Sequence, residues 1–473
     1  MILNTLEPRK VFRYFEEICA IPHGSYNTDK IANYVVDFAK DHGLEYSRDA
    51  HNNVVIKKNA SPDYKGDATV IIQGHLDMVC AKDEGINIDF ENQGIPLDCD
   101  GEYVFAKGTT LGGDDGIAVA MALAVLDSDS ITHPDLECVF TTDEEVGMLG
   151  ANAMDMSGLK GQYLLNIDSE DEGKFTVSCA GGETLVVEMK KEAASNDFSH
   201  SIEIAIKGLT GGHSGIEIDK GRANAVILMG RLLAVVSEKV DICLASINGG
   251  QKDNAIPFEC RATVNTNDVN AVQKAVEFCR EKIENEYSGV ENNLEISANE
   301  VEHKNGFEGE VIPFLSRVTN GVRAMSRDIP GLVQTSSNLG IIRTEDDKIV
   351  MTFSLRSNID DEKAVLHNEI EDLAKSHNAT VNSFGNYPAW EFKRGSRLQK
   401  LCREVYREQY GVNPEIVSIH AGLECGIFSS KIKGLDCISF GPNLLDIHTS
   451  KEKMEIAGVK RVYQFLLTLL ERL

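Results

Sequence analysis

Apolar positions in the first 170 or so residues follow two different periods. In VFRYFEEICAI and KIANYVVDFAKDHG they recur every three or four residues, which predicts two amphipathic helices, the second stopped at Gly43. ATVIIQGHLDMV, LECVFTTDEE and QYLLNID are compact β-rich runs, each ending in acidic or histidine-bearing positions. DDGIAVAMALAVLDS is apolar almost throughout and predicts a buried helix. Strands separated by helical segments predict an α/β domain with a mostly parallel sheet covered by helices on both faces.

The pattern changes near residue 187. SIEIAIKGLT, RANAVILMGRLLAVVS, ICLASING, FECRATVNT and DVNAVQKAVEFCREKIENEY read as a first series of strands and helices. EVIPFLSRVTNGVRAMS, LVQTSSNLGIIRT, KIVMTFSLRSN, EKAVLHNEIEDLAKSH and ATVNSFGNY read as a second, so this region is expected to be internally duplicated. Alternating strands such as KIVMTFSLRS fit a sheet with one face covered by helices, an α+β arrangement. After Pro388, RLQKLCREVYREQYG, DCISFG and GVKRVYQFLLTLLERL resume the first pattern. The expected organisation is a catalytic domain over 1–186 and 388–473, with an α+β lid domain inserted at 187–387.

Composition narrows the partners. The 473 residues carry 47 Lys+Arg against 74 Asp+Glu, a net charge of −27, which opposes a broad basic face for nucleic acid or anionic lipid. The acids are dispersed, so a solvated surface accounts for most of them. No apolar run approaches the roughly 20 residues of a membrane span. Eleven cysteines, an odd number without CxxC pairs, fit a reduced protein, and a cytoplasmic location is expected.

Candidate chemistry gathers where strands end. His75 and Asp77 follow VIIQG, at the end of the strand where open α/β sheets bind ligands. Two residues apart on one face, they allow His75 to hold a metal while Asp77 accepts its other ring N–H, although HxD alone reads more readily as a solvated loop. Asp114 and Asp115, between glycines, taken alone read as a helix cap. Glu144 and Glu145, Asp168, and His448 after DCISFG are each unexceptional singly. Together, His, Asp, Glu, Asp and His with one carboxylate to share suit a di-zinc site, whose charge a hydroxide would balance. Adjacent carboxylates on an extended segment point in opposite directions, so only one of Glu144 and Glu145 can be a simple ligand and the other is available as a base. His213 lies in the glycine-rich GLTGGHSG, which carries no phosphate-loop signature.

HLDMV, GTTLGGDDG, TTDEEVG, NIDSED, GGHSG, HAGLECG and DIHTS, in this order over nearly the whole chain, resemble the cytosolic aminoacyl-histidine dipeptidases of the co-catalytic zinc aminopeptidase/carboxypeptidase superfamily. The resemblance implies His75, Asp114, Glu145, Asp168 and His448 as ligands of two zinc ions, with Asp114 bridging; Mn or Co are possible substitutes. It implies Asp77 orienting His75, Glu144 as general base and a cis peptide after Asp114. It also implies His213 as a lid histidine for the tetrahedral intermediate, Asn254 and Arg356 holding substrate, and His420 and Glu424 lining the site. Cys425 reads as a buried, inert thiol. This chain has Gly113-Asp114-Asp115 where relatives often show Ala-Asp-Asn, so choosing Asp114 over Asp115 rests on spacing from His75 and Glu144. The activity implied is hydrolysis of dipeptides, including Xaa-His. The alternatives are an N-acyl amino acid amidohydrolase, a broader di/tripeptidase, and an acidic metal-binding interaction protein. Small dipeptides are the expected partners, with a homodimer possible.

Overall fold

A computed structural model describes residues 2–194 and 198–473. Contacts divide them into two units: Met1–Cys179 with Phe392–Ser418 and Leu423–Leu473, and Ala180–Glu391 with Ile419–Gly422. The breaks fall at 180 and 391 instead of 187 and 387 because Gly181–Lys190 is a single strand belonging wholly to the second unit's sheet. His420 belongs to the second unit as well.

The first unit is built on an eight-stranded sheet in the order Glu45–Arg48, Val54–Lys58, Asp135–Thr141, Thr69–His75, Tyr163–Asn166, Asp436–Ser439, Lys174–Cys179, Glu415–Ile419. The four central strands, Asp135–Thr141 through Asp436–Ser439, run parallel, whereas antiparallel pairs extend the sheet on either side of them. The register is level at the carboxyl ends, with His75 opposite Thr141, and Gln73 and Ser439 both opposite Asn166. Four chain crossings therefore deliver their next residues to one edge, the position that α/β sheets use for ligands.

Helix Gly113–Leu126 is buried along its whole length, as a helix without a polar face must be. It packs against strand Thr69–His75 and helix Arg9–Cys19, whose Val11, Phe12, Phe15 and Ile18 share one face. Each Leu, Ile or Val so buried contributes about 1.5–3 kcal/mol. The backbone is non-helical at Asp114 and Asp115, and the peptide joining them is cis. No described helix is long and apolar enough to cross a membrane.

The second unit carries an eleven-stranded sheet and one continuous apolar core, to which helices Ala225–Lys239, Val269–Glu286 and Asp360–Ser376 contribute. From one edge inward the strands are Glu295–Val301, His200–Lys207, Cys260–Thr266 and Cys243–Gly249. From the other they are Thr380–Tyr387, Gly181–Lys190, Lys348–Ser357 and Val333–Thr344. Gly181–Lys190, the first strand of the unit in chain order, thus pairs between strands from its far end.

Candidate metal centre

Each central strand of the first unit ends at a chemically useful residue. Strand Thr69–His75 ends on His75, and Asp135–Thr141 leads into Glu144 and Glu145. Strand Tyr163–Asn166 leads into Asp168, and Asp436–Ser439 into the turn bearing His448. Asp114 comes from the loop ahead of the buried helix. His75 Nε2 lies 3.2 Å from Asp114 Oδ1 and 3.7 Å from Asp168 Oδ1. His448 Nε2 lies 3.0 Å from Asp114 Oδ2 and 3.0 Å from Glu145 Oε1. The Asp114 carboxylate therefore presents one oxygen to each histidine.

Asp115 also brings a carboxylate oxygen within 4.8 Å of His75 and Asp168 ligand atoms, but it is already engaged by the backbone. Its Oδ2 accepts the backbone N–H of His75 at 3.2 Å, and a Cβ on Gly74 would collide with it. Neither aspartate side chain caps the helix.

Asp77 acts differently from expectation. His75 Nδ1 is 2.9 Å from the main-chain carbonyl of Asp77, which accepts its N–H, while the Asp77 carboxylate stands 3.6 Å away. That carboxylate instead accepts the backbone N–H groups of Glu144 at 3.0 Å and Glu145 at 3.4 Å, and the Ser25 hydroxyl at 2.8 Å. Asp77 thus fixes both the imidazole and the turn that carries the two glutamates, one through its backbone and the other through its side chain.

Glu424 lies fully buried beneath the strand ends. Its Oε2 accepts from Gln73 Nε2 at 2.5 Å and Thr141 Oγ1 at 2.6 Å, and Asn166 Nδ2 donates to Gln73 Oε1 at 2.7 Å. It braces the residues behind His75 from below; it does not line an open surface. Cys425 is buried, and burial holds its thiol well above the ordinary range.

Among the described residues, the only cations paired with Asp114, Glu145 and Asp168 are the two histidines. Burial raises Glu144, with Asp168, Glu424 and Glu145 adding to the shift and His75 opposing it. Burial raises Asp115, and Asp168 adds to that. Hydrogen bonds donated to the Asp114 and Glu145 carboxylates hold His448 up at about 10. Burial would lower His75, but Asp114, Asp168 and Asp77 outweigh it and raise it strongly. This concentration of buried acid without lysine or arginine is an environment that stabilises added positive charge.

The second unit holds a separate polar cluster. His213 Nδ1 accepts the backbone N–H groups of Gly215 at 3.0 Å and Ile216 at 3.3 Å, so a neutral ring must carry its proton on Nε2. Burial, then the charge of Arg356, lowers the His213 pKa and keeps the ring neutral. Asn254 is exposed, and its carbonyl accepts from Ser214 N next to His213. Arg356 is 9% exposed, donates from Nη1 to the Tyr387 hydroxyl at 3.2 Å, and pairs with no carboxylate among the described residues. Its Nε has no partner. His420 is engaged at both nitrogens, by Ser336 Oγ at 2.7 Å and Asn358 Oδ1 at 3.2 Å. Burial, then Arg356, depresses it to about 3.

The profile of peptidase family M20/M25/M40 matches residues 71–472. The chain belongs to this family. It is 36% identical over 480 residues to the cytosol non-specific dipeptidase of Escherichia coli K12, covering 100% of this chain and 99% of that one. The crystal structure of aminoacylhistidine dipeptidase from Vibrio alginolyticus superposes with a TM-score of 0.94 at 36% identity, covering 100% and 98% of the two chains. Aminopeptidase PepT from Bacillus cereus shares the fold, with a TM-score of 0.59 at 15% identity over 98% of each chain.

The M20 family implies a metal cofactor, and the donor set of this peptidase fits one. Two groups, His75 with Asp114 and Glu145 and His75 with Asp115 and Asp168, each place ligand atoms within 4.8 Å of one another. Ligand atoms about 2.0–2.1 Å from a shared zinc ion at tetrahedral angles lie roughly 3.3 Å apart, which the separations of 3.0–3.7 Å match. Sequence reading missed the supports: Ser25, Gln73, Thr141 and, in the second unit, Glu291. Glu291 clamps both ends of the His213 loop by accepting from Thr210 N and Oγ1 and from Ala223 N. Thr141, which opens TTDEEVG, and Gln73, two residues ahead of HLDMV, could have been signalled by those motifs; Ser25 and Glu291 lie in none of them and carried no such signal.

Proposed function

We propose that this M20 peptidase is a cytosolic di-zinc dipeptidase whose substrates include Xaa-His dipeptides. The observation that carries this reading is the Asp114 carboxylate, which faces His75 with one oxygen and His448 with the other. Asp168 with His75 and Glu145 with His448 complete two adjoining ligand sets sharing Asp114, with Mn or Co as possible substitutes. Ions bound there would polarise the scissile carbonyl and make water more acidic. Glu144, excluded from the ligand sets and held by Asp77 through its backbone, takes a proton from the attacking water and passes it to the leaving amine. His213 offers Nε2–H to the developing oxyanion, and Arg356 grips the C-terminal carboxylate. Asn254 assists in holding substrate. The cytosolic placement rests on the Escherichia coli relative and on eleven cysteines that are all free.

The deciding experiment is a panel of free dipeptides, tripeptides and N-acyl amino acids, assayed on chelator-treated protein with single metals restored. Metal-dependent turnover of dipeptides, Xaa-His among them, is expected. Preference for N-acyl amino acids would instead mark an amidohydrolase, and absence of turnover a binding protein.

A further inference from the structure

Glu452 belongs to none of the sequence motifs, yet it makes the most concentrated set of backbone contacts near the metal centre. It is 2% exposed. Its Oε2 accepts from Leu111 N at 2.8 Å and Gly112 N at 3.2 Å, and its Oε1 from Gly113 N at 2.8 Å and Asp114 N at 3.5 Å. No lysine, arginine or histidine pairs with it among the described residues, so four successive peptide dipoles solvate its charge. Gly112, at φ +74°, allows those N–H groups to converge as an anion nest. A Cβ on Gly113 would press against Glu452 Oε1 and Leu444.

The same residue closes the turn that bears His448. Thr449 N and Oγ1 both donate to the Asp446 carbonyl, Lys451 N donates to Thr449 Oγ1, and Glu452 N donates to the Thr449 carbonyl. One carboxylate therefore ties the His448 turn to the loop that ends in Asp114, across more than three hundred residues of chain. We propose that Glu452 is a positioning residue for the metal centre, setting Asp114 and His448 at the spacing that lets one carboxylate serve two ions. A neutral glutamine cannot replace it, because its NH2 group would face donors.

The inference rests on the di-metal reading above and is tested by metal binding. Stripped wild-type protein and Glu452→Gln are titrated with Zn2+ against a chromophoric chelator, and the metal-free melting temperature is measured in parallel. The expected result is two tight ions in the wild type and one in the variant, the ion on the His448 side being bound about 10–100-fold more weakly, as when a support behind a ligand is lost. Two ions bound equally tightly by both proteins would overturn the proposal. So would a lower metal-free melting temperature with unchanged affinities, which marks a structural tie only. Wild type binding fewer than two ions would instead overturn the di-metal reading. Should the glutamine variant not fold, Glu452→Asp, which keeps the charge on a shorter arm, is titrated by the same criteria.

Discussion

Asp114 and Glu144 stand among several buried carboxylates, and what separates their roles is the direction each one faces. With an oxygen turned to each histidine, Asp114 is the side chain that the proposed di-metal reading places in both ligand sets. Asp114→Ala is therefore expected to retain neither ion, and His75→Ala to lose mainly one, as metal counting on the purified variants will show. Glu144→Gln should keep both ions and the fold while kcat falls by at least about 10²–10⁴-fold, the usual worth of a positioned proton carrier. The five ligand candidates could be named from sequence because each sits in a short motif beside an apolar run, which precedes His75, Glu145, Asp168 and His448 and follows Asp114. The atoms used by Asp77 could not, since HxD gives no indication that the main-chain carbonyl faces the imidazole while the carboxylate holds the Glu144 turn. The sequence motif names His420 as a site-lining residue and gives no sign that both its ring nitrogens are already engaged. The depression of His420 to about 3 has a sign that can be tested. Below an ordinary histidine pKa of about 6.5, the unfolded chain takes up a proton that the folded ring refuses, so stability is lost as pH falls from about 6.5 towards 3. Urea midpoints measured across that window should fall less steeply with acidification in His420→Gln than in the wild type.

At the scale of elements, the strand ends and the buried helix make the centre possible. Periodicity placed the strands ending at His75, Thr141 and Asn166, and the apolar helix after Asp115, because each is long enough to carry its own signal. It passed over Gly181–Lys190 as the start of the second unit, since pairing across a sheet is invisible to local pattern. The antiparallel flanks of the first sheet escaped for the same reason. Gly74 shows how closely the strand and the helix approach: a Cβ there would meet Asp115 Oδ2 and the Ala118 side chain. Gly74→Ala should therefore destabilise the protein by about 1–3 kcal/mol, the common range for overpacking, and displace the carboxylate that holds His75 N. Calorimetry of the metal-free protein reads the first effect. Weaker retention of metal during dialysis reads the second.

At the scale of the molecule, each unit buries charge of its own. The first concentrates negative charge suited to metal ions, and the second buries a cation, Arg356, that pairs with no carboxylate among the described residues. Burying an unpaired guanidinium is costly, and an anion supplied by the substrate would offset that cost. A dipeptide has such an anion one residue beyond the scissile bond, so a fixed cation measures substrate length as well as contributing binding. The planar fork of arginine can hold a carboxylate through two hydrogen bonds, which lysine cannot reproduce. With Nη1 already donating to the Tyr387 hydroxyl and Nε without a partner, the Arg356 fork is oriented and still has donors to give. Arg356→Lys is thus expected to lower kcat/KM for Xaa-His dipeptides by at least about tenfold, in the range of a charge-assisted hydrogen bond of about 1.5–3 kcal/mol. Amidating the dipeptide's C-terminus should cause a similar loss in the wild type. Because both changes remove one contact, the variant should discriminate little between acid and amide, and the combined loss should fall well short of the product of the two. Steady-state kinetics on four enzyme–substrate pairs decide the matter: if the losses multiply in full, another residue receives the carboxylate, and the buried charge of Arg356 serves something other than substrate length.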